Sequence, residues 1–419
     1  MTGSGGVGEH SLPGAAANPE HSAQSGRYET MASRPDDHIA KSYAQWVRRS
    51  ILRNNNSRSL LVSLFESSVP EPKELLRDVL LEGFAEGITA RYASTFVKGN
   101  PYLVAALARD YGVREEQVLT TTGATGALSL IYRALLSPGD RVLVENPSFE
   151  LFGSLAEASG IAVDTFQRPA PRFAIDPREV EARIRPETRM IVISNLHNPS
   201  GMAVDDAAII ALGEIADRHD LIVVVDEVYA PYAGTRLRPA ASLGTSPRLV
   251  SVNSLTKIFG LSSLRCGWIV GDESVITPVR ELAQEVDFAI SNLAHAVSAL
   301  IVENPARFQE NTFSVLAKAR PIIASYHAYW LAEGLAEGDL PESGCIAFPR
   351  LVGIADTERF SGWLSDRCGV LVAPGEYFGA PGHVRLGFAM EPSRLDYGLQ
   401  ALTDGLLTYR ENHRKLETP

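Results

Sequence analysis

The 419-residue chain has only three cysteines, Cys266, Cys345 and Cys368, and they show neither disulfide-framework nor metal-ligand spacing. That argues against a stapled secreted fold and a thiolate metal site, and it fits reduced thiols in a cytoplasmic protein. The nine histidines form no zinc-type cluster. Positive charge is in deficit: 39 Lys and Arg against 50 Asp and Glu leave a formal charge of -11, with no basic stripe to suit nucleic acid. No aliphatic run approaches the ~20 residues that a membrane helix needs. No charged n-region followed by an apolar run marks a secretory signal. Internal repeats, long linkers and a helix-turn-helix module are also missing.

What is there is a chain long enough for a large core and two structural domains, with 45% apolar residues, the ordinary proportion for a soluble globular enzyme. Residues 1–34 are the exception. They are rich in Gly, Ser, Ala and Pro, carry almost no large apolar side chains, and are expected to be disordered. Met31 opens more ordinary sequence and is a candidate biological start. From about Asp37 the pattern turns helical, with Ile39, Tyr43, Trp46, Val47 and Ile51 at helix spacing; residues 73–86 and 101–112 read as further helices. Strand candidates follow at 118–122, 141–145, 161–166, 189–194, 221–226, 248–252 and 267–271, alternating with helices. Such alternation predicts an α/β fold, a mostly parallel central sheet covered by helices. Residues 273–330 read as long helices, 345–390 as short strands and turns, and 391–413 as a final helix. A second, smaller α+β domain is expected from residues 35–85 and 310–419, beside a large domain over 86–309.

Four stretches at strand ends carry chemistry. In Ser254-Leu-Thr-Lys257, with Arg265 eight residues on, a buried strand delivers a hydroxyl, an amine and a guanidinium to one rim. That set suits a phosphorylated aldehyde: the amine can form a Schiff base, and the arginine offers a planar, permanently charged fork for phosphate. Ser-x-x-Lys also arises by chance in exposed loops. In Leu221-Ile-Val-Val-Val-Asp226-Glu227-Val-Tyr229, an aliphatic run meets two acids, as at the carboxyl end of a central parallel strand. One of them can pair a cationic ring nitrogen, and the other can simply open the next helix. Met190-Ile-Val-Ile-Ser194 runs into Asn195-Leu-His197-Asn198-Pro199-Ser-Gly201, where Asn198 is a neutral donor and His197 reads as a packed turn residue rather than a base. In Thr122-Gly123-Ala124-Thr125, small residues open an apolar helix, and free amides at a helix N-terminus bind anions. No Gly-Lys-Ser/Thr follows, so this is not a Walker motif.

Together and in this order, these stretches resemble the fold-type I pyridoxal-phosphate enzymes, specifically the class I/II aminotransferases. A further match is Gly369-Val-Leu-Val-Ala-Pro374-Gly375 through Gly379, then Val384-Arg385-Leu386-Gly387; the likeness spans roughly residues 60–405. It implies that Lys257 holds pyridoxal 5'-phosphate as a Schiff base and shuttles a proton. Asp226 would pair with the pyridinium, and Tyr229 and Asn198 would bond the ring oxygen. Gly123, Ala124, Thr125, Ser254 and Arg265 would bind the phosphate, Phe149 would stack on the ring, and Arg385 would take the substrate carboxylate. No metal is implied.

The reaction implied is ping-pong transfer of an amino group between an α-amino acid and a 2-oxo acid, with Lys257 tuned below its usual pKa of about 10.4. The alternatives on the same scaffold are a β-eliminating lyase or a decarboxylase; a non-catalytic binding protein is a third reading. Tyr92 resembles the tyrosine that reaches the cofactor phosphate of the neighbouring subunit, which implies a homodimer. Two departures stand out. After Tyr92 the glycine comes late, at Gly99, and Val104 replaces an arginine. The segment Leu61–Pro72 lacks the family's glycine near the substrate carboxylate.

Overall fold

The computed structural model describes residues 40, 42–56, 61–96, 98–286 and 290–417. The extension read over residues 1–34 lies outside them, as does Ile39. The chain divides into two units, Met1–Lys41 and Ser42–Pro419, and every described helix and strand belongs to the second.

The sheet follows from the aliphatic runs. Seven strands form it: β1 (Val118–Thr122), β2 (Arg141–Asn146), β3 (Ala162–Gln167), β4 (Thr188–Ser194), β5 (Ile222–Asp226), β6 (Leu249–Ser254) and β7 (Cys266–Val270). Their spatial order is β1-β7-β6-β5-β4-β2-β3. Neighbours pair in parallel except around β7, which runs antiparallel to both β1 and β6. All seven expected strands are present, with ends shifted by two residues at most.

The runs are continuous rather than alternating because both sheet faces are covered. In β5, Val224 enters the cluster packed by the helix Gly123–Leu135, while Val223 and Val225 enter the opposite cluster, packed by the helix Asp206–His219. Burying one such side chain contributes about 1.5–3 kcal/mol. The same alternation decides where the chemistry points. Val250 and Val252 of β6 share the face of Val224, so Asp226 and Ser254, two residues further along their strands, leave the sheet on that face.

At β1 the chain turns sharply into the helix Gly123–Leu135. Gly123 has φ +73°, a conformation that glycine adopts without steric cost. Gly267 on β7 is needed for another reason: a Cβ there would come within 2.7 Å of the Ala124 nitrogen. Two glycines thus press the helix start onto the sheet edge.

Chain segments from both ends assemble beside this sheet. Val62–Ser63 pairs in parallel with Val370–Leu371, and Val384–Gly387 is the middle strand of a small antiparallel sheet with Ile346–Ala347 and Ala373–Pro374. The long helix Ala306–Ala332 packs against the final helix Pro392–Glu417. One expectation is corrected. Residues 345–390 are not only strands and turns, since Thr357–Cys368 is an α-helix. Asp356 caps it by accepting from Arg359 N at 2.8 Å, and Gly369 ends it at φ 69°. Its buried face mixes Phe360 and Leu364 with Ser361 and Ser365, which hides the apolar period. Ser361 is tolerated there because its hydroxyl donates to Val372 O at 2.7 Å.

Candidate active site

The strand ends and the small sheet enclose a cavity of about 310 Å³. Ala124, Thr125, Phe149 and Asn198 line it, as do Asp226, Ser254, Lys257, Arg265 and Arg385. These residues come from positions more than 250 apart in the chain. Gly123 lies just behind, where a Cβ would meet Arg265 Nη2 at 2.9 Å. Tyr229 lies below, its ring centroid 5.6 Å from Lys257 Nζ. Tyr92 does not line this cavity and is 46% exposed.

Lys257 follows β6 on the one-turn helix Leu255–Ile258, whose position is held by the Tyr232 hydroxyl donating to the Lys257 carbonyl. Its Nζ donates to Ser67 Oγ at 2.8 Å. Burial, and next the Arg385 charge, hold the amine below its ordinary pKa. Asp226 is subject to the same burial with the opposite sign: its carboxyl is pushed up to about 6, against one backbone bond from Val228 N at 3.1 Å. The Tyr229 hydroxyl is buried and completes no hydrogen bond of good geometry, although Ser67 is close enough to act on it.

Arg385 is 1% exposed, yet no carboxylate faces it among the described residues. Its Nη1 donates to Asn198 Oδ1 at 2.9 Å and its Nη2 to the Tyr43 hydroxyl and, at 3.4 Å, to Phe65 O. Its Nε is buried without a partner, and the guanidinium stands 4.8 Å from the Phe378 ring centroid. At the other end of the cavity, Thr122 makes no side-chain bond to cap the helix Gly123–Leu135, and Arg265 has no ion pair among the described residues.

The two acids at the end of β5 do not open a helix. Asp226 faces the cavity, and Glu227 turns to the other side, where its Oε1 accepts from Ala240 N at 2.6 Å. Burial pushes that carboxyl up to about 8. His197 is packed, as expected: Nδ1 meets Ser200 Oγ at 2.6 Å and Nε2 meets Pro147 O at 2.9 Å.

Several site residues carry no signal in the sequence. Tyr43 reads there only as an apolar helix position, because nothing local shows its hydroxyl meeting Arg385. Phe65, Glu66 and Ser67 come from the segment whose missing glycine is the only signal. The turn that carries Asn198 rests on a buried cluster from three strand ends. Glu145 Oε2 accepts from Arg168 Nη1 at 2.5 Å, and Glu145 Oε1 accepts from Ser194 N and Oγ at 2.8 and 2.5 Å. Ser194 Oγ in turn accepts from Asn198 N at 2.9 Å.

Residues 82–402 match the family model for aminotransferase class I and II. The chain belongs to that family. The arginine–pyruvate transaminase of Pseudomonas aeruginosa is 31% identical over 292 residues, covering 67% of this chain and 73% of the relative. Capreomycidine synthase of Streptomyces vinaceus is 29% identical over 71% of this chain and 76% of its own length. Among solved structures, a PLP-dependent aminotransferase from Streptococcus suis superposes with a TM-score of 0.76 at 27% identity, covering 86% of this chain and 96% of that one. Thermus thermophilus aspartate aminotransferase with maleate reaches a TM-score of 0.78 at 23% identity over 89% and 99%, and shows the fold.

The pyridoxal-phosphate transferase fold read from the motifs is therefore the fold found, and transamination is the activity; elimination and decarboxylation are not favoured. Pyridoxal 5'-phosphate is the cofactor of this class, and the site fits it. A phosphate suits the uncapped helix start and the unpaired Arg265, a ring cation suits the buried Asp226, and a ring oxygen suits the orphan Tyr229 hydroxyl.

The buried cluster is open to a direct test. Arg168→Met strands the Glu145 carboxylate and should lower unfolding free energy in urea by about 3–5 kcal/mol. Adding Glu145→Gln should recover much of that loss.

Proposed function

We propose that Lys257 is the residue to which the cofactor aldehyde attaches, and that the cavity exchanges an amino group between an α-amino acid and a 2-oxo acid in two half-reactions. The observation that carries the proposal is the convergence of the Lys257 amine, the Asp226 carboxylate and the Arg385 guanidinium in one cavity, with no ion pair joining them.

The bound cofactor supplies an electron sink for the carbanion left when a substrate bond to the α-carbon breaks. The protein's part is placement and proton transfer. Arg385 takes the α-carboxylate through its fork, a charge-assisted pair of fixed geometry; Asn198 and Tyr43 keep the guanidinium in that plane. With the carboxylate so held, the α-hydrogen is presented to Lys257 Nζ. Burial and Arg385 hold the amine below its ordinary pKa and so favour its neutral form, which can take that proton, hold it and return it. Ser67 Oγ accepts a hydrogen bond from the amine while it is free. With the cofactor bound, Asp226 would hold a positive charge on the ring nitrogen, Tyr229 and Asn198 would bond the ring oxygen, and Phe149 would stack on the ring. Gly123, Ala124, Thr125, Ser254 and Arg265 would hold the phosphate.

The active unit we infer is a homodimer in the cytoplasm, with residues 86–309 as the large domain and 35–85 with 310–419 as the smaller. The free cysteines support the compartment. The exposed apolar residues Ile88, Tyr92, Phe96 and Leu293 support the dimer, in which Tyr92 reaches the partner's phosphate site. Relatives named for arginine, aspartate and asparagine differ in side-chain charge and leave the substrate open.

Lys257→Ala should abolish turnover, and borohydride reduction of the wild-type holoprotein should label the peptide containing Lys257; a label elsewhere would refute the assignment. Arg385→Ala should raise the KM for the amino acid about a hundredfold, in line with losing a buried charge pair, while the visible absorbance of bound cofactor persists. Asp226 must be ionised to pair with the ring. Its carboxyl titrates near 6 before pairing, so cofactor affinity measured by dialysis should be flat above that pH and fall about tenfold per unit below it. Asp226→Asn should remove this pH dependence.

A further inference from the structure

Phe65, Glu66 and Ser67 follow one another along one wall of the cavity. The Phe65 carbonyl accepts from Arg385 Nη2 at 3.4 Å, and Ser67 Oγ accepts from Lys257 Nζ at 2.8 Å. Glu66 stands between them. It is exposed, and its carboxylate is near enough to act on the Lys257 charge. It forms no hydrogen bond or ion pair with any described residue.

The backbone that bears this acid is held in place. Gly387, two residues beyond Arg385, donates its N–H to Leu64 O at 2.6 Å, and a Cβ at Gly387 would overlap the Glu66 carbonyl oxygen. Glu66 is thus tied at a set separation from the guanidinium that takes the α-carboxylate. The other charged lining residues are spoken for: Lys257 and Arg385 by the substrate's amine and carboxylate, Asp226 and Arg265 by the cofactor. Val47, Leu151 and Leu155 are among the aliphatic residues that line the same cavity.

We propose that Glu66 determines substrate choice, and that the amino donor is an α-amino acid whose apolar stem ends in an ammonium or guanidinium group. This rests on the transamination reading of the same cavity. An apolar stem lies along the aliphatic wall, and its terminal cation pairs with the carboxylate. A dicarboxylic amino acid would instead bring a second negative charge against Glu66, with no unassigned cation of this chain to receive it among the described lining residues.

The test compares half-reactions of the wild-type holoprotein and two variants with L-arginine, L-lysine, L-leucine and L-aspartate, followed through the cofactor spectrum. The wild type should favour the two cationic amino acids. In Glu66→Gln the arginine-to-leucine ratio of kcat/KM should fall about tenfold, as for loss of one charge-assisted hydrogen bond near the surface. In Glu66→Lys the aspartate-to-leucine ratio should rise. A wild-type preference for aspartate, or an arginine-to-leucine ratio that Glu66→Gln leaves unmoved, overturns the proposal and leaves transamination standing. Calorimetry gives a readout independent of turnover. An arginine analogue without its α-amine should bind the holoprotein about tenfold tighter than hexanoate, an advantage lost in Glu66→Gln; equal affinities in the wild type overturn the proposal. A spectrum that no amino acid alters overturns the reading beneath it, and the proposal with it.

Discussion

Three charged groups in this protein, Arg385 buried and Lys257 and Asp226 half-buried, are withdrawn from bulk water without being paired to one another. Removing an ion from water costs several kcal/mol even after the surroundings relax, and a partner of opposite sign is the usual compensation. Lys257, Asp226 and Arg385 receive neutral donors and acceptors instead: a serine hydroxyl, a backbone N–H, and an asparagine with a tyrosine. Burial then acts on the two titrating groups in opposite directions, down for the amine and up for the acid. An amine that gives up its proton more readily than a free lysine and a carboxylate in want of a cation are the chemical consequence. The cavity is built to be completed by a ligand that carries an aldehyde, a ring cation and anionic groups.

Keeping such groups apart and fixed is the task of the scaffold. Strand alternation sends Asp226 and Ser254 out on one sheet face, and the glycines at 123 and 267 bring a helix start close enough to add its free amides. Below the turn that holds Asn198, the Glu145–Arg168 pair and Ser194 tie the ends of β2, β3 and β4 together. Here the buried charges are paired, and the pair touches no part of the cavity. Its work is positional: the Ser194 hydroxyl orients the Asn198 backbone, and Asn198 orients Arg385.

How legible all this was depends on the range of the signal. Every strand of the central sheet could be read, because a strand buried on both faces must be a continuous aliphatic run. The strand-end residues that line the cavity could be read too, because each sits within a few residues of such a run. The helix Thr357–Cys368 was hidden where the buried Ser361 and Ser365 broke the apolar period, the first of them satisfied by the Val372 carbonyl. Tyr43, Phe65 and Ser67 were hidden as site residues because their partners lie 190 to more than 300 residues away, and no local pattern encodes such a meeting.

The sequence by itself determined the sheet, the order of the strand-end motifs and therefore the kind of cofactor, since those depend on local periodicity and on which residue ends each strand. Tertiary structure alone decided which neutral groups surround the cavity's charges, that His197 and Glu227 are packed away from that cavity, and that an unpaired acid, Glu66, stands in its wall. Those outcomes depend on contacts between segments far apart in the chain, and such contacts are set by packing.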